Sequence, residues 1–243
     1  MTNPLAFLVA GILPYVTALV FVVGVVGTMM RWNRVRVPLR ITVTPAPSNV
    51  VADIAYELLF FKTLFRSTRA LWGGGWVFHV CLALALIGHV FGIAVLAHQF
   101  VALGASASQS EQLSAFFGGI AGLGMLVALL YLLYRRTSVR AVQAISDASD
   151  YLVLLLVISI VLTGNYMRFF MQVDLAEIRD YLGSLFTLNP APPANAMFLV
   201  HIFFVQLLLL YFPYSKLMHS CGMFFTRWLM GKRDLVSPRE GAA

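Results

Sequence analysis

Charge is what this sequence has least of. Only 11% of its 243 residues are Asp, Glu, Lys or Arg, and 60% are hydrophobic. A soluble domain carries about a quarter charged residues, so this composition excludes an ordinary water-soluble fold and points to a bilayer. Acidic residues are scarcest, ten in all, and none stands at the centre of an apolar run, which weakens any reading as a carboxylate proton relay. Cysteine is nearly missing. Cys81 and Cys221 are the two present, in neither a CxxC nor a CxxCH arrangement, so covalent haem attachment, a cysteine-held iron–sulfur cluster and a zinc knuckle are excluded and no disulfide is expected. No P-loop, dinucleotide fingerprint or internal repeat occurs, and nothing resembles a soluble catalytic domain.

Long apolar runs are what the chain does have. Runs of roughly 20 residues, the length that crosses the hydrocarbon core, occur at about 8–30, 76–97, 116–134, 151–170 and 197–224. The predicted fold is therefore an all-α, integral membrane bundle of five transmembrane helices in one domain. The last run exceeds one bilayer thickness and has to tilt, kink or continue past the interface. No positive charge precedes the first run, and Arg31, Arg34, Arg36 and Arg40 follow it, so it reads as a span rather than a cleaved signal peptide. Fifteen of the seventeen Lys and Arg fall in the first loop, the third loop and the end of span five with its tail. The second loop has none, and Arg168 and Arg179 are the two near the fourth. By the positive-inside rule the N-terminus is outside and the C-terminus cytoplasmic. The net charge of +7 is then a mark of topology, not a nucleic-acid footprint.

The first loop is the large one. Its opening is basic and broken by Pro38, Pro45 and Pro47, and its second half sets Ile54, Leu58, Phe61 and Phe65 at helical offsets among Lys62, Arg66 and Arg69. An interfacial helix over about 51–70 is expected, anchoring to lipid and offering a surface to a cytoplasmic partner. A short helix is expected in the fourth loop, over 174–185.

Five histidines interrupt this apolar background. His79 and His89 lie ten residues apart in span two, and His201 and His219 eighteen apart in span five. Spans two and five run in opposite directions, so depth pairs His79 with His219 and His89 with His201. Two facing imidazoles per level are what bis-histidine ligation of a b-type haem requires, one ring from each side. A histidine in hydrocarbon is costly, and a metal bond compensates it. Core histidines bonded to neighbouring helices, or a proton relay, are the competing readings. Ten residues of helix rise roughly 15 Å and eighteen roughly 27 Å, so two straight helices cannot match both pairs. Pro213 lies between His201 and His219, and a bend there would bring them into register. His98 ends span two and reads as interfacial, with a quinone or proton contact as its functional alternative.

With these residues in view, the chain resembles the gamma subunit family of respiratory nitrate reductase, small five-helix di-haem b cytochromes, over almost its whole length. The motifs that carry the resemblance are GHVFG at 88–92, FFGGIAG at 116–122 and YFPYSKLMH at 211–219, with the 10 and 18 histidine spacings. FFKTLFRSTRALWGGGW and TGNYMRFF look more like one branch, the DsrM-type membrane cytochrome of the sulfite-reductase-associated complex and heterodisulfide-reductase-like membrane subunits. The resemblance implies two b haems, one near the cytoplasm on His79 and His219 and one near the outer face on His89 and His201. It implies electron exchange between the quinone pool and a cytoplasmic iron–sulfur partner, in a prokaryotic cytoplasmic membrane and alongside further membrane or periplasmic subunits. The rival class is a non-redox membrane anchor or transporter subunit with structural histidines.

One departure stands out: nitrate reductase members have basic residues in the second loop at the quinol site, and ASASQSEQLS here has none. Arg168 and Asn165, at the outer end of span four, are the nearest polar substitutes for a quinone, and could equally hold a haem propionate or anchor the helix end. Lys216 is close enough in sequence to His219 for a propionate contact. Gly118, Gly119, Gly122 and Gly124 in span three are expected to serve close helix packing first and haem clearance second.

Overall fold

The computed structural model describes residues 3–34, 49–95, 97–171 and 173–224, and all regular structure among them is helical. In chain order the α-helices are α1 (Pro4–Phe7), α2 (Leu13–Arg34), α3 (Val50–Phe60), α4 (Lys62–Ser67), α5 (Arg69–Ile87), α6 (Ala107–Ser138), α7 (Arg140–Gln143), α8 (Ala148–Phe170), α9 (Leu175–Phe186) and α10 (Ala196–Tyr211). A π-helical turn at Leu8–Ile12 joins α1 to α2, and a π-helical stretch at Gly88–Val95 extends α5. Five helices are long and apolar enough to cross a membrane: Pro4–Arg34, Arg69–Ile93, Ala107–Ser138, Ala148–Phe170 and Ala196–Tyr214. The proline-punctuated opening of the first loop and the basic tail lie outside the described residues.

The helices start where the sequence supplies caps. Ser106 and Gln109 form a capping box at α6, and Asp147 and Asp150 form another at α8. Asn49, Asp174 and Asn195 cap α3, α9 and α10 through their side chains. The helix expected over 174–185 is α9, which packs against the π stretch of α5. Burial, and then the neighbouring Tyr15, push the α9 hydroxyl of Tyr181 up to about 12.

Two expected boundaries change. The interfacial helix over 51–70 is two helices, α3 and α4, broken at Phe61, and α5 begins at Arg69 rather than 76. The long run at 197–224 is not one helix. α10 ends at Tyr211, a 3-10 turn at Phe212–Tyr214 carries Pro213, Ser215 is extended, a second 3-10 turn spans Lys216–Met218, and residues 219–224 are helical again. Proline cannot donate to the α10 ladder, and its ring clashes with the preceding turn. Pro213 is buried against α2 because Gly24 has no side chain there: a Cβ on Gly24 would lie 2.6 Å from Pro213 Cβ.

In the bundle α5 packs on α6, α6 on α8, α8 on α10, and α10 on α2. The core sits where α5, α6 and α8 meet, at Cys81, Ala121, Met125, Leu129, Ile158 and Val161. Small residues let these helices close up. A Cβ on Gly124 would stand 2.8 Å from Cys81 Sγ, and one on Gly74 2.5 Å from Tyr131. Large apolar side chains such as Leu19, Val23, Leu86 and Val127 face outward, as hydrocarbon contact demands of a spanning helix whose backbone is satisfied internally.

Candidate functional site: two imidazole pairs

The four histidines of the apolar runs sit at two levels of the bundle. His79 projects from the middle of α5, and His219 follows the broken end of α10. Their ring centroids are 6.2 Å apart with planes at 85°. The second pair forms ten residues further along α5, where His89 lies in the π stretch and is the titratable neighbour of His201 on α10. From His201, α10 runs as regular helix only to Tyr211, a rise of roughly 15 Å. That equals the rise from His79 to His89. The remaining residues to His219 are taken up by 3-10 turns and the extended Ser215. Only because α10 breaks do spacings of ten and eighteen serve the same two levels.

Every one of these rings is tied by Nδ1. His79 Nδ1 meets Gly75 O at 2.7 Å, His89 Nδ1 meets Ala85 O at 2.7 Å, and His219 Nδ1 meets Lys216 O at 2.8 Å. A carbonyl only accepts, so in these three Nδ1 donates and Nε2 keeps a free lone pair. His201 Nδ1 lies 2.9 Å from Thr163 Oγ1, whose hydroxyl reaches Ser159 O at 2.8 Å and Ile160 O at 3.0 Å. With the hydroxyl hydrogen given to a carbonyl, Thr163 accepts from His201, and the same tautomer results. Gly164 gives that ring room, since a Cβ there would be 3.3 Å from His201 Cε1.

Four imidazoles with Nε2 open, oriented through Nδ1 and set in pairs, have the donor chemistry of a metal ligand with its outer hydrogen bond in place. Two imidazoles on one metal at about 2 Å each have ring centres roughly 6 Å apart, which His79 and His219 match. Among the described residues no group of three or more His, Cys, Asp or Glu gathers at one point, and each level offers a pair of imidazoles. This fits axial ligation of a haem.

The other candidates from the sequence make different side-chain contacts. Asn165 Nδ2 donates to Gly122 O at 3.1 Å, and Arg168 donates to Ser114 O. Both side chains therefore pin α8 to α6. The glycines of α6 make this approach possible: a Cβ on Gly122 would be 2.0 Å from Asn165 Oδ1, and one on Gly118 2.9 Å from Arg168 Nη2. Lys216 Nζ binds Asp147 at 3.1 Å and Asp150 at 2.8 Å, and Arg136 binds Asp150 at 3.0 Å. This ion network joins the α6–α8 connection to the segment that presents His219. The Ser149 hydroxyl and then Lys216 hold the Asp147 carboxyl down at about 2, and the two aspartates raise Lys216 above its ordinary value. His98 lies at the other end of the bundle. Its Nδ1 is buried with no hydrogen-bond partner, the Glu111 carboxylate is 4.0 Å away, and it borders a shallow cleft of about 530 Å³ with Val101, Ala105 and Ser106.

Sequence reading passed over three contributors. Thr163 stands in TGNYMRFF as a small hydroxyl in an apolar helix, which was the available signal. Phe61 and Phe78 meet the His79 ring edge-on at 4.9 and 5.0 Å, and aromatic residues in an apolar chain give no such signal. Trp72 and Trp76 are hydrogen-bond donors to α3.

Comparison with known proteins is consistent with this geometry. The profile of the nitrate reductase gamma subunit matches residues 62–236, a stretch that holds all four paired histidines. An "Hdr-like menaquinol oxidoreductase cytochrome b-like subunit" of Archaeoglobus fulgidus is 30% identical over 88% of this chain and 76% of its own length. Its counterpart of the same description in Archaeoglobus profundus is 28% identical over the same shares.

Proposed function

The chain belongs to the nitrate reductase gamma subunit family, and on that premise we propose that it is a di-haem b membrane subunit carrying electrons between the quinone pool and a cytoplasmic iron–sulfur partner. The observation that carries this reading is the set of four histidines with Nδ1 occupied and Nε2 open, paired at two levels. His79 and His219 would hold the inner haem, at the basic and cytoplasmic end, and His89 and His201 the outer one. When bound, each haem supplies a one-electron iron couple in a dry setting. The chain fixes each imidazole by its Nδ1 hydrogen bond, excludes water with Phe61 and Phe78 at the inner level, and holds the two levels in line across the bilayer. The membrane is the prokaryotic cytoplasmic one, with the N-terminus outside.

Quinol would be oxidised at the outer end, where protons are released outside while electrons move inward. His98 is the residue best suited to take a quinol proton, because its buried Nδ1 is unpartnered beside an open cleft. Arg168 and Asn165 are committed to the α6 backbone and would shape that end rather than bind the ring directly. The menaquinol named for the Archaeoglobus relatives and the heterodisulfide-reductase-like partner implied by "Hdr-like" make a sulfur-linked complex the favoured setting over a nitrate-linked one.

A reduced-minus-oxidised spectrum of the purified protein tests the reading. A b-type alpha band is expected, with His201→Ala or His89→Ala removing the outer haem alone. An absent band sinks the redox function and leaves a membrane anchor or transporter subunit with structural histidines. His98→Asn is expected to slow haem reduction by a menaquinol analogue without removing either haem.

A further inference from the structure

Phe61 has a backbone that its sequence does not call for. Its φ of 47° and ψ of 49° are left-handed, a conformation ordinarily left to glycine. The surrounding LLFFKTLF contains neither Gly nor Pro, so nothing local requires α3 to stop there. Strained backbone of this kind persists only where its surroundings over-determine it, and it gathers at functional sites.

The surroundings here come from α5. The break leaves the carbonyls at the end of α3 without helical partners, and two indoles take them. Trp76 Nε1 donates to Leu59 O at 2.8 Å, and Trp72 Nε1 donates to Phe60 O at 2.7 Å. The two indoles stack at 5.8 Å, and Phe65 of α4 closes edge-on against Trp72 at 5.0 Å. On the other side of the break the Glu57 carboxylate accepts from Thr63 N at 3.1 Å and from its hydroxyl at 2.9 Å. The helix that carries His79 thus clamps the corner that carries Phe61.

What the clamp delivers is one contact. The Phe61 ring stands at 89° to the His79 imidazole, 4.9 Å away, Phe78 stands at 80° and 5.0 Å, and His219 at 85° and 6.2 Å. Gly75 O on Nδ1 adds a fourth restraint on the imidazole.

We propose that Phe61 is a positioning residue for the inner site: its ring, held by the Trp72–Trp76 clamp, fixes the His79 plane perpendicular to that of His219 and keeps water from the imidazole. This rests on the reading of His79 and His219 as axial ligands. An apolar cover over a metal ligand controls solvent access and hence potential. Perpendicular axial planes also have a signature: a low-spin ferric haem then shows a single dominant low-field EPR component, whereas parallel planes give a rhombic three-line signal.

The test uses the purified protein with its haems, and His79→Ala assigns the inner signal. Phe61→Gly relieves the backbone while removing the ring, and Phe61→Leu keeps the strain and removes the aromatic edge. Both are expected to move the inner signal toward the rhombic form and to lower the inner midpoint potential as water reaches the ligand. Trp76→Phe, which loses the indole N–H to Leu59 O and part of the stack on Trp72, is expected to do the same more weakly, and the outer haem stays unchanged in all three. Unchanged inner EPR and potential in both Phe61 variants would overturn the proposal, as would equal disturbance or loss of both haems. Failure of the ligand assignment looks different: the unsubstituted protein then lacks the alpha band, or His79→Ala leaves both haems in place.

Discussion

Thr163 shows how much a single hydroxyl decides. It reaches the His201 Nδ1 from another helix, where the Ile160 carbonyl also faces the ring, whereas the other three imidazoles are oriented by carbonyls within four residues of themselves. Thr163→Val keeps the shape and removes the hydroxyl, so His201 loses its side-chain partner and the orientation that partner sets. Outer hydrogen bonds of metal ligands are typically worth about 10- to 100-fold in affinity. A fall of that order in outer-haem affinity is expected, with the inner haem untouched, read by titrating haem-depleted protein. Substituting Ser for Thr163 keeps the hydroxyl and is expected to retain the haem.

At the basic end Lys216 bridges Asp147 and Asp150. Asp147 is held down from its ordinary 3.8 to about 2, first by the Ser149 hydroxyl and then by Lys216, while Lys216 is raised from its ordinary 10.5. A lowered carboxylate stabilises above its ordinary value and loses that contribution as pH falls toward its folded value. A raised amine stabilises below its ordinary value and loses it as pH rises past its folded one. The Asp147–Lys216 contact is therefore expected to contribute evenly from about pH 4 to about pH 10 and to fade outside that window. Both groups are well exposed, at 59% and 63%, so salt should weaken it. Thermal unfolding of Lys216→Met against the unsubstituted protein, across pH and ionic strength, checks this.

Among the elements, the contact of α6 with α8 rests on glycine. Gly122→Ala places a Cβ where Asn165 Oδ1 now stands, 2.0 Å away. The amide would have to leave Gly122 O, and the Asn165 Nδ2 donor, left without its partner in a part-buried position, costs about 1–3 kcal/mol. Gly73 in α5 is the contrast, because a Cβ there meets nothing within 4 Å. Gly73→Ala is expected to gain about 0.5–1 kcal/mol from helix propensity. Unfolding midpoints of the two variants in one detergent should move in opposite directions. The four α6 glycines were legible as packing residues, but not which side chain each admits. A small residue in a sequence permits approach from any neighbour, and only the packed bundle supplies Arg168, Asn165, Phe169 and Cys81.

For the whole molecule, the distribution of basic residues predicts a definite orientation. A cysteine introduced at Glu111 should react with a membrane-impermeant thiol reagent from outside intact cells, and one introduced at Lys62 only after lysis, both in a background without Cys81 and Cys221. The reverse pattern would invert the assignment of inner and outer haems.

Composition and hydrophobic run length by themselves determined the all-helical class, the number of spanning helices and the histidines worth pairing. Those properties follow from solvation, because an apolar run of sufficient length and an imidazole within it have meaning without knowledge of any neighbour. Pro213 marked in the sequence where span five had to bend for spacings of ten and eighteen to serve the same two levels, but tertiary structure decided the form of that break, a helix that stops at Tyr211 with Pro213 seated on Gly24. Tertiary structure alone decided which groups orient each ring, that Lys216 is engaged by Asp147 and Asp150, and that Phe61 closes on His79. These are contacts between residues distant in the chain, set by helix breaks and close approaches, and a one-dimensional pattern carries no record of them.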